Sequence, residues 1–491
     1  MQLYDKDLLS VQEVRELVEK AKAAQEELSQ KSQAEVDAIV KSIAYAGVRN
    51  AKRLAKLAHE ETGFGIEADK VIKNIFGSRD VYEHIKDMKT IGELGYDEEK
   101  KVRTIAVPVG VIAGLIPSTN PTSTAFYKSE ISIKAGNAIV FSPHPNARNC
   151  ILEAVKVIRQ AIAEAGGNEN LVSCITIPTI QATDNLMKHP DVALILATGG
   201  SAMVRAAYSS GTPAIGVGPG NGPAYIEKTA DLPLAVKRIM DSKTFDNGTI
   251  CASEQSVVCD KDMEDAVRAE MEKQGAYFLT DEQIAKLGKF ILRANGTMNP
   301  MIVGKSAQVI ADLAGIDIPA GTKVLVAKET GIGRGHPYSN EKLAPILAFY
   351  TADDYKEICR LVQDILHYEG AGHTFSMHTK DPEMVNYFAM RVPASRIIVN
   401  TPSALGGIGG TTGLMPSLTL GCGAIGGSAT SENVGPMNLL NKRHVAEGLL
   451  ELDEIKAGLP TCTDGVYSGP KAEDVDIDAV VNEIVKRLRS M

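Results

Sequence analysis

One cysteine sits in a context suited to covalent chemistry: Phe245-Asp246-Asn247-Gly248-Thr249-Ile250-Cys251-Ala252-Ser253-Glu254-Gln255. Asp-Asn-Gly forms turns, and the run Ser256-Val257-Val258 that follows favours a strand. A turn lifts the thiol out of the packed interior and a strand holds it still. A free thiol titrates near about 8.5, so a cysteine nucleophile needs a helix end or a cation to favour its thiolate. The remaining cysteines (Cys150, Cys174, Cys259, Cys359, Cys422 and Cys462) read as packing residues. None forms a Cys-x-x-Cys pair, and their scatter gives neither zinc spacing nor a disulfide framework, so no metal site is expected.

The elements that must position Cys251 fit two or three domains in 491 residues. The first part reads helical, with Ser10-Val11-Gln12-Glu13 and Ser32-Gln33-Ala34-Glu35 at capping-box spacing. Residues 91–104 are polar and predict a hairpin or arm. The apolar run 105–117 predicts a strand buried on both faces, as do 139–141, 172–177 and 192–196. Helical stretches at 122–135, 147–165 and 181–188 separate them, which predicts a parallel sheet with ligands at its carboxyl edge. Three loops reach that edge: Ile116-Pro117-Ser118-Thr119-Asn120-Pro121, Ser142-Pro143-His144-Pro145 and Ala197-Thr198-Gly199-Gly200-Ser201. The last leads into a helix over 202–208, where a Gly-Gly pair would let backbone amides approach a phosphate. The dinucleotide fingerprint G-x-G-x-x-G does not follow the first strand of this pattern. Beyond Cys251 a second α/β unit is predicted, with helices at 262–274 and 282–294 and strands near 301–303, 323–327 and 397–400. The glycine-rich stretch 405–427 reads as a packed loop.

Composition is that of a globular protein, with 44% hydrophobic and 23% charged residues. A net charge of −9 disfavours nucleic acid as a partner. An odd cysteine count suits a reducing cytoplasm. Met1–Asp7 lacks a basic stretch followed by an apolar one, so no secretory leader is expected, and no apolar run is long enough for a bilayer.

The cysteine motif resembles that of CoA-acylating aldehyde dehydrogenases. The similarity extends to the aldehyde dehydrogenase half of bifunctional aldehyde–alcohol dehydrogenases and to CoA-dependent succinate-semialdehyde dehydrogenases. Further matching motifs follow in the family's order: Ser118-Thr119-Asn120-Pro121-Thr122-Ser123, Phe141-Ser142-Pro143-His144-Pro145, Ala197-Thr198-Gly199-Gly200, Glu341-Lys342-Leu343-Ala344-Pro345, Gly372-His373-Thr374 and Pro416-Ser417-Leu418-Thr419-Leu420-Gly421-Cys422-Gly423. The resemblance implies an α/β fold with two Rossmann-like parallel-sheet domains and a small oligomerisation element. Residues 1–240 would bind NAD, 241–425 would form the catalytic domain, and 426–457 with the arm near 91–104 would make subunit contacts in a dimer or tetramer.

It further implies that the Cys251 thiolate attacks an aldehyde, with Asn120 and the Cys251 backbone N–H stabilising the oxyanion. Pro117, Ser118, Thr119, Ser142, His144, Gly199, Gly200, Glu341 and Leu343 would bind the dinucleotide, Glu341 at the nicotinamide ribose. Ser142 stands where many hydrolytic relatives carry lysine, which leaves NADP open beside NAD. The segment Gly216-Val217-Gly218-Pro219-Gly220-Asn221-Gly222-Pro223 lacks the glutamate base of hydrolytic relatives. Coenzyme A, assisted by His373, is therefore the expected acyl acceptor. Acetaldehyde is the default substrate. Arg334 and His336 are candidates to hold an anionic tail, as in sulfoacetaldehyde or succinate semialdehyde. A hydrolytic dehydrogenase and a non-catalytic scaffold subunit are the other readings.

After a linker at 458–474, the pattern of Ile477, Val480, Val481, Ile484, Leu488 and Met491 predicts an amphipathic helix over 475–491. It resembles peptides that route aldehyde enzymes into bacterial microcompartments, and docking on the enzyme's own oligomer is the alternative.

Overall fold

The computed structural model describes residues 5–293 and 296–457. Cys462, the linker at 458–474 and the helix expected at 475–491 lie outside the described residues. The strands are β1 (Gly92–Asp97), β2 (Val102–Pro108), β3 (Val111–Ile116), β4 (Ala138–Pro143), β5 (Val172–Cys174), β6 (Val192–Thr198), β7 (Ala214–Val217) and β8 (Gly222–Ile226). They continue as β9 (Glu254–Asp260), β10 (Ala276–Phe278), β11 (Val324–Lys328), β12 (Ile346–Ala352), β13 (Gly372–His378), β14 (Ala394–Val399) and β15 (Leu440–Ala446).

Two parallel sheets carry the larger of two compact units, as the alternating pattern predicts. The first has the order β5-β4-β3-β6-β7. The chain runs outward from β3 to β4 and β5, then returns to add β6 on the opposite side. Crevices for ligands open at the carboxyl ends where the order reverses. The loops after β3, β4 and β6 end there, in register through Ile116 opposite Pro143.

The second sheet has the order β10-β11-β12-β9-β8-β13-β14. Alternation along its strands divides two cores. Leu325, Ala327, Ile346 and Ala348 pack on one face; Val324, Val326, Leu347 and Phe349 pack on the other. Because β8 pairs with β9 and β13, the chain passes from the first sheet to the second at 218–221. The cysteine motif thus joins the helix Leu232–Thr244 to the central strand β9.

Three local expectations change. The run 105–117 is two strands, broken at Val109-Gly110, where Gly110 takes φ 123°. Residues 301–303 form turns, not a strand. Ser10 lies inside the helix Lys6–Leu28, which Asp5 caps instead, whereas Ser32 and Glu35 form the expected capping box. Residues 405–427 form a packed loop, with Ile408, Leu418, Leu420 and Cys422 buried.

The second unit comprises, among the described residues, 95–105 and 443–457. It holds most of a three-stranded sheet of order β1-β2-β15. Residues 441–446 of β15 are exposed. No helix among the described residues is long and apolar enough to cross a membrane.

Candidate active site

The turn before Cys251 is held in a costly backbone conformation. Asp246, Asn247 and Gly248 have φ of 47°, 53° and 74°. For non-glycine residues such positions cost about 1–3 kcal/mol each and need surrounding support. That support comes from the Asp246 carboxylate, which is wholly buried. It accepts hydrogen bonds from Ile66 N (2.6 Å), Lys70 Nζ (3.1 Å), Thr249 Oγ1 (2.7 Å) and Lys73 Nζ. Burial pushes this carboxyl up, but Lys73 and Lys70 outweigh it and hold it below the ordinary value. Asn247 Nδ2 donates to Gly304 O at 3.0 Å. Lys70 and Lys73 share one face of the helix Glu67–Ile75.

Cys251 is half-buried, whereas Cys150, Cys174, Cys259, Cys359 and Cys422 are buried, in line with their reading as packing residues. Burial pushes the Cys251 thiol up to about 12; the Glu341 charge adds to this and Arg396 opposes it. A Cβ on Gly220 would lie 1.9 Å from Cys251 O and 3.1 Å from His373 Cε1. Only glycine permits this approach, which brings the segment 216–223, Cys251 and His373 together.

His373 is fully buried. Its Nδ1 lies 2.9 Å from Thr374 Oγ1, and its Nε2 has no hydrogen-bond partner among the described residues. Burial, with Arg396 second, pushes its pKa down to about 3, so the ring is neutral. With Nδ1–H donating to Thr374, Nε2 carries a free lone pair. Arg396 fixes the surroundings by donating to His373 O (2.9 Å) and Gly421 O (2.8 Å).

Asn120 follows β3 and precedes the helix Pro121–Lys134. Lys73 Nζ donates to its Oδ1 at 2.6 Å. Its Nδ2 lies 3.5 Å from Thr249 O, two residues before Cys251. The amide nitrogen therefore faces the turn before Cys251.

Glu341 also reaches this turn. Gly220 N donates to its Oε1 at 2.8 Å, and its own N–H donates to Glu369 Oε2 at 2.6 Å. Burial and the Glu369 charge push its carboxyl up to about 8. Residues 216–223 carry no carboxylate themselves, as expected, and Glu341 beside them stands as the protonated acid near neutral pH. Lys342 N donates to Gln255 Oε1 at 3.1 Å, and Leu343, at φ 46°, accepts at its carbonyl from Gly304 N at 2.9 Å. Residues 341–343 are thereby pinned to β9 at Gln255 and to Gly304, whose carbonyl also receives Asn247 Nδ2.

At the edge of the first sheet, Pro117, Ser118 and Thr119 are half-buried. Ser142 Oγ pairs with Thr183 Oγ1 at 2.8 Å. His144 N donates to Ile116 O at 3.1 Å, and its Nδ1 accepts from Asn146 N at 3.2 Å. Gly199 follows β6 and Gly200 caps the helix Ser201–Tyr208. A Cβ on Gly200 or Gly218 would meet nothing within 4 Å. The open backbone at Gly200, where a helix starts, fits the pyrophosphate of a dinucleotide.

Arg334 is exposed, and His336 Nδ1 lies 2.8 Å from Glu329 Oε2. No hydrogen bond or ion pair among the described residues joins either to Cys251, Asn120 or His373. Sequence reasoning missed Lys70, Lys73 and Arg396, whose importance comes from burial and from partners distant in the chain. The described residues contain no cluster of His, Cys, Asp and Glu fit for a metal.

The model of the aldehyde dehydrogenase family matches residues 3–339. The chain is 46% identical over 443 residues to the bifunctional aldehyde-alcohol dehydrogenase of Escherichia coli, covering 89% of this chain and 50% of that protein. It thus spans about half the length of this curated relative. An acetylating aldehyde dehydrogenase from Geobacillus thermoglucosidasius superposes with a TM-score of 0.90 at 52% identity, covering 92% of this chain and 99% of that one. Rhodopseudomonas palustris propionaldehyde dehydrogenase, solved with bound CoA and an acylated cysteine, gives a TM-score of 0.80 at 28% identity, covering 88% and 97%.

Proposed function

The chain belongs to the aldehyde dehydrogenase family, and from that premise we propose that it is a CoA-acylating aldehyde dehydrogenase. It converts a short aldehyde, acetaldehyde by default, with CoA and NAD into acyl-CoA and NADH, reversibly. The single observation that supports this reading is the close approach of Gly220, in a segment without a carboxylate of its own, to both Cys251 O and His373 Cε1.

The Cys251 thiolate adds to the aldehyde carbon. The carbonyl oxygen takes the negative charge and is met by Asn120 Nδ2 and the Cys251 backbone N–H. A nicotinamide dinucleotide, held by residues 117–119, Ser142, His144, Gly199 and Gly200, supplies the hydride acceptor when bound. An acyl thioester is left on Cys251. His373, neutral and with Nε2 free, accepts the thiol proton of CoA. The CoA sulfur attacks the thioester carbon, acyl-CoA leaves, and the proton returns to Cys251. Glu341, held as the acid, is a poor base for water, which favours thiol transfer over hydrolysis.

Homo-oligomerisation through the exposed β15 and the arm belongs to the same proposal, as does a cytoplasmic or microcompartment location directed by residues 475–491. Deleting residues 471–491 would then leave activity intact and abolish co-purification with shell proteins. The test of the reaction is NADH formation from acetaldehyde with and without CoA. Turnover that requires CoA supports the assignment; full turnover without CoA refutes it.

A further inference from the structure

We propose that Lys73 is a positioning residue for the oxyanion site. The inference rests on the acylating reading and adds a residue to it. Lys73 is 3% exposed, so its ammonium has lost water and depends on protein acceptors. It finds three: Asn120 Oδ1 at 2.6 Å, Thr249 Oγ1 at 2.8 Å and the Asp246 carboxylate. These acceptors lie on both sides of the reacting centre. Asn120 provides the side-chain donor; Thr249 and Asp246 belong to the turn that ends at Cys251. One ammonium thus sets the distance between donor and nucleophile.

The bond to Asn120 also decides which end of the amide faces the substrate. An ammonium can only donate, so it must meet Oδ1, and Nδ2 is turned the other way. A cation on Oδ1 polarises the amide and makes its N–H a stronger donor to a developing oxyanion. Asp246 balances the charge, and Lys70 remains with Asp246 when Lys73 is replaced.

The test is a double-mutant cycle on the full chain, with Lys73→Met, Asn120→Ala and the pair. The readouts are the single-turnover rate of NADH formation, the KM values for NAD and CoA, and the melting temperature. Lys73→Met should slow the NADH burst about tenfold or more, part of the ~10²–10³ expected for removing the donor itself. KM for NAD and CoA should hold. In the Asn120→Ala background Lys73→Met should add little, because its effect passes through that amide. Equal losses in both backgrounds, or no loss in either, would overturn the proposal. Either result leaves the acylating reading standing, provided Cys251→Ala remains inactive. Should Lys73→Met fail to fold, Lys73→Gln runs the same cycle with a neutral donor in place.

Discussion

Gly220 N–H donates to Glu341 Oε1 at 2.8 Å, while a Cβ on Gly220 would strike Cys251 O at 1.9 Å. A side-chain-free residue thus links a half-buried carboxyl to the backbone of Cys251. The consequence is electrostatic: a carboxylate close to a thiol opposes thiolate formation.

Replacing Glu341 by glutamine should therefore lower the Cys251 pKa. Burial is the larger cause of the raised value, so the thiol stays above its ordinary range. Because the Glu341 carboxyl titrates near 8, the difference should appear above that pH and fade below it. Alkylation by iodoacetamide, followed at Cys251 across pH 7–10, should run at least about threefold faster in Glu341→Gln at the alkaline end. Identical profiles would show that the two groups are not coupled.

Asn120→Ala should reduce the rate of NADH formation by ~10²–10³ with little change in the KM for NAD. Such a split places the loss in the charged intermediate. A raised KM with an unchanged rate would instead make Asn120 a binding residue.

His373→Ala should separate the two halves of the reaction. The first burst of NADH should survive, while discharge of the thioester to CoA slows by ~10²–10⁴. Rapid-quench measurement of acyl-CoA formation reads the second half directly. Loss of the burst would assign His373 to activation of Cys251.

A buried histidine outside this chemistry should add to the acid sensitivity that His373 also contributes. Both ring nitrogens of His378 lack partners among the described residues, and burial, with Arg238 second, pushes its pKa down to about 4. Its unfolded value is about 6.5. Between these values the unfolded chain binds a proton that the folded chain does not, so stability is lost as pH falls from 6.5 towards 4. The loss from pH 7 to 5 should be on the order of 1–2 kcal/mol from this group. In His378→Met the fall in melting temperature over that interval should be shallower than in the wild type. Parallel falls would place the acid sensitivity elsewhere.

Much of this architecture was legible because the parallel strands are continuous apolar runs and the helices between them keep helical spacing. Cys251 was legible through its turn, and Asn120 and His373 through their motifs. The limits are also physical. Apolarity alone could not divide 105–117 at Gly110, or tell the turns at 301–303 from a strand. Lys70 and Lys73 look like the solvent face of an amphipathic helix, and nothing local signals that Asp246, more than 170 residues away, buries them both. Glu341 likewise meets Gly220 only through the fold. For Arg334 the charge was visible in the sequence, but its exposure was not.

The central claim is an acyl group carried by Cys251 that CoA removes and water does not. Incubating the full chain with acetaldehyde and NAD, without CoA, should give an NADH burst stoichiometric with active sites. Peptide mass spectrometry should then find an acetyl adduct on Cys251 that disappears, as acetyl-CoA, when CoA is added. Sustained NADH production without CoA, or an unmodified Cys251 after the burst, would contradict the account.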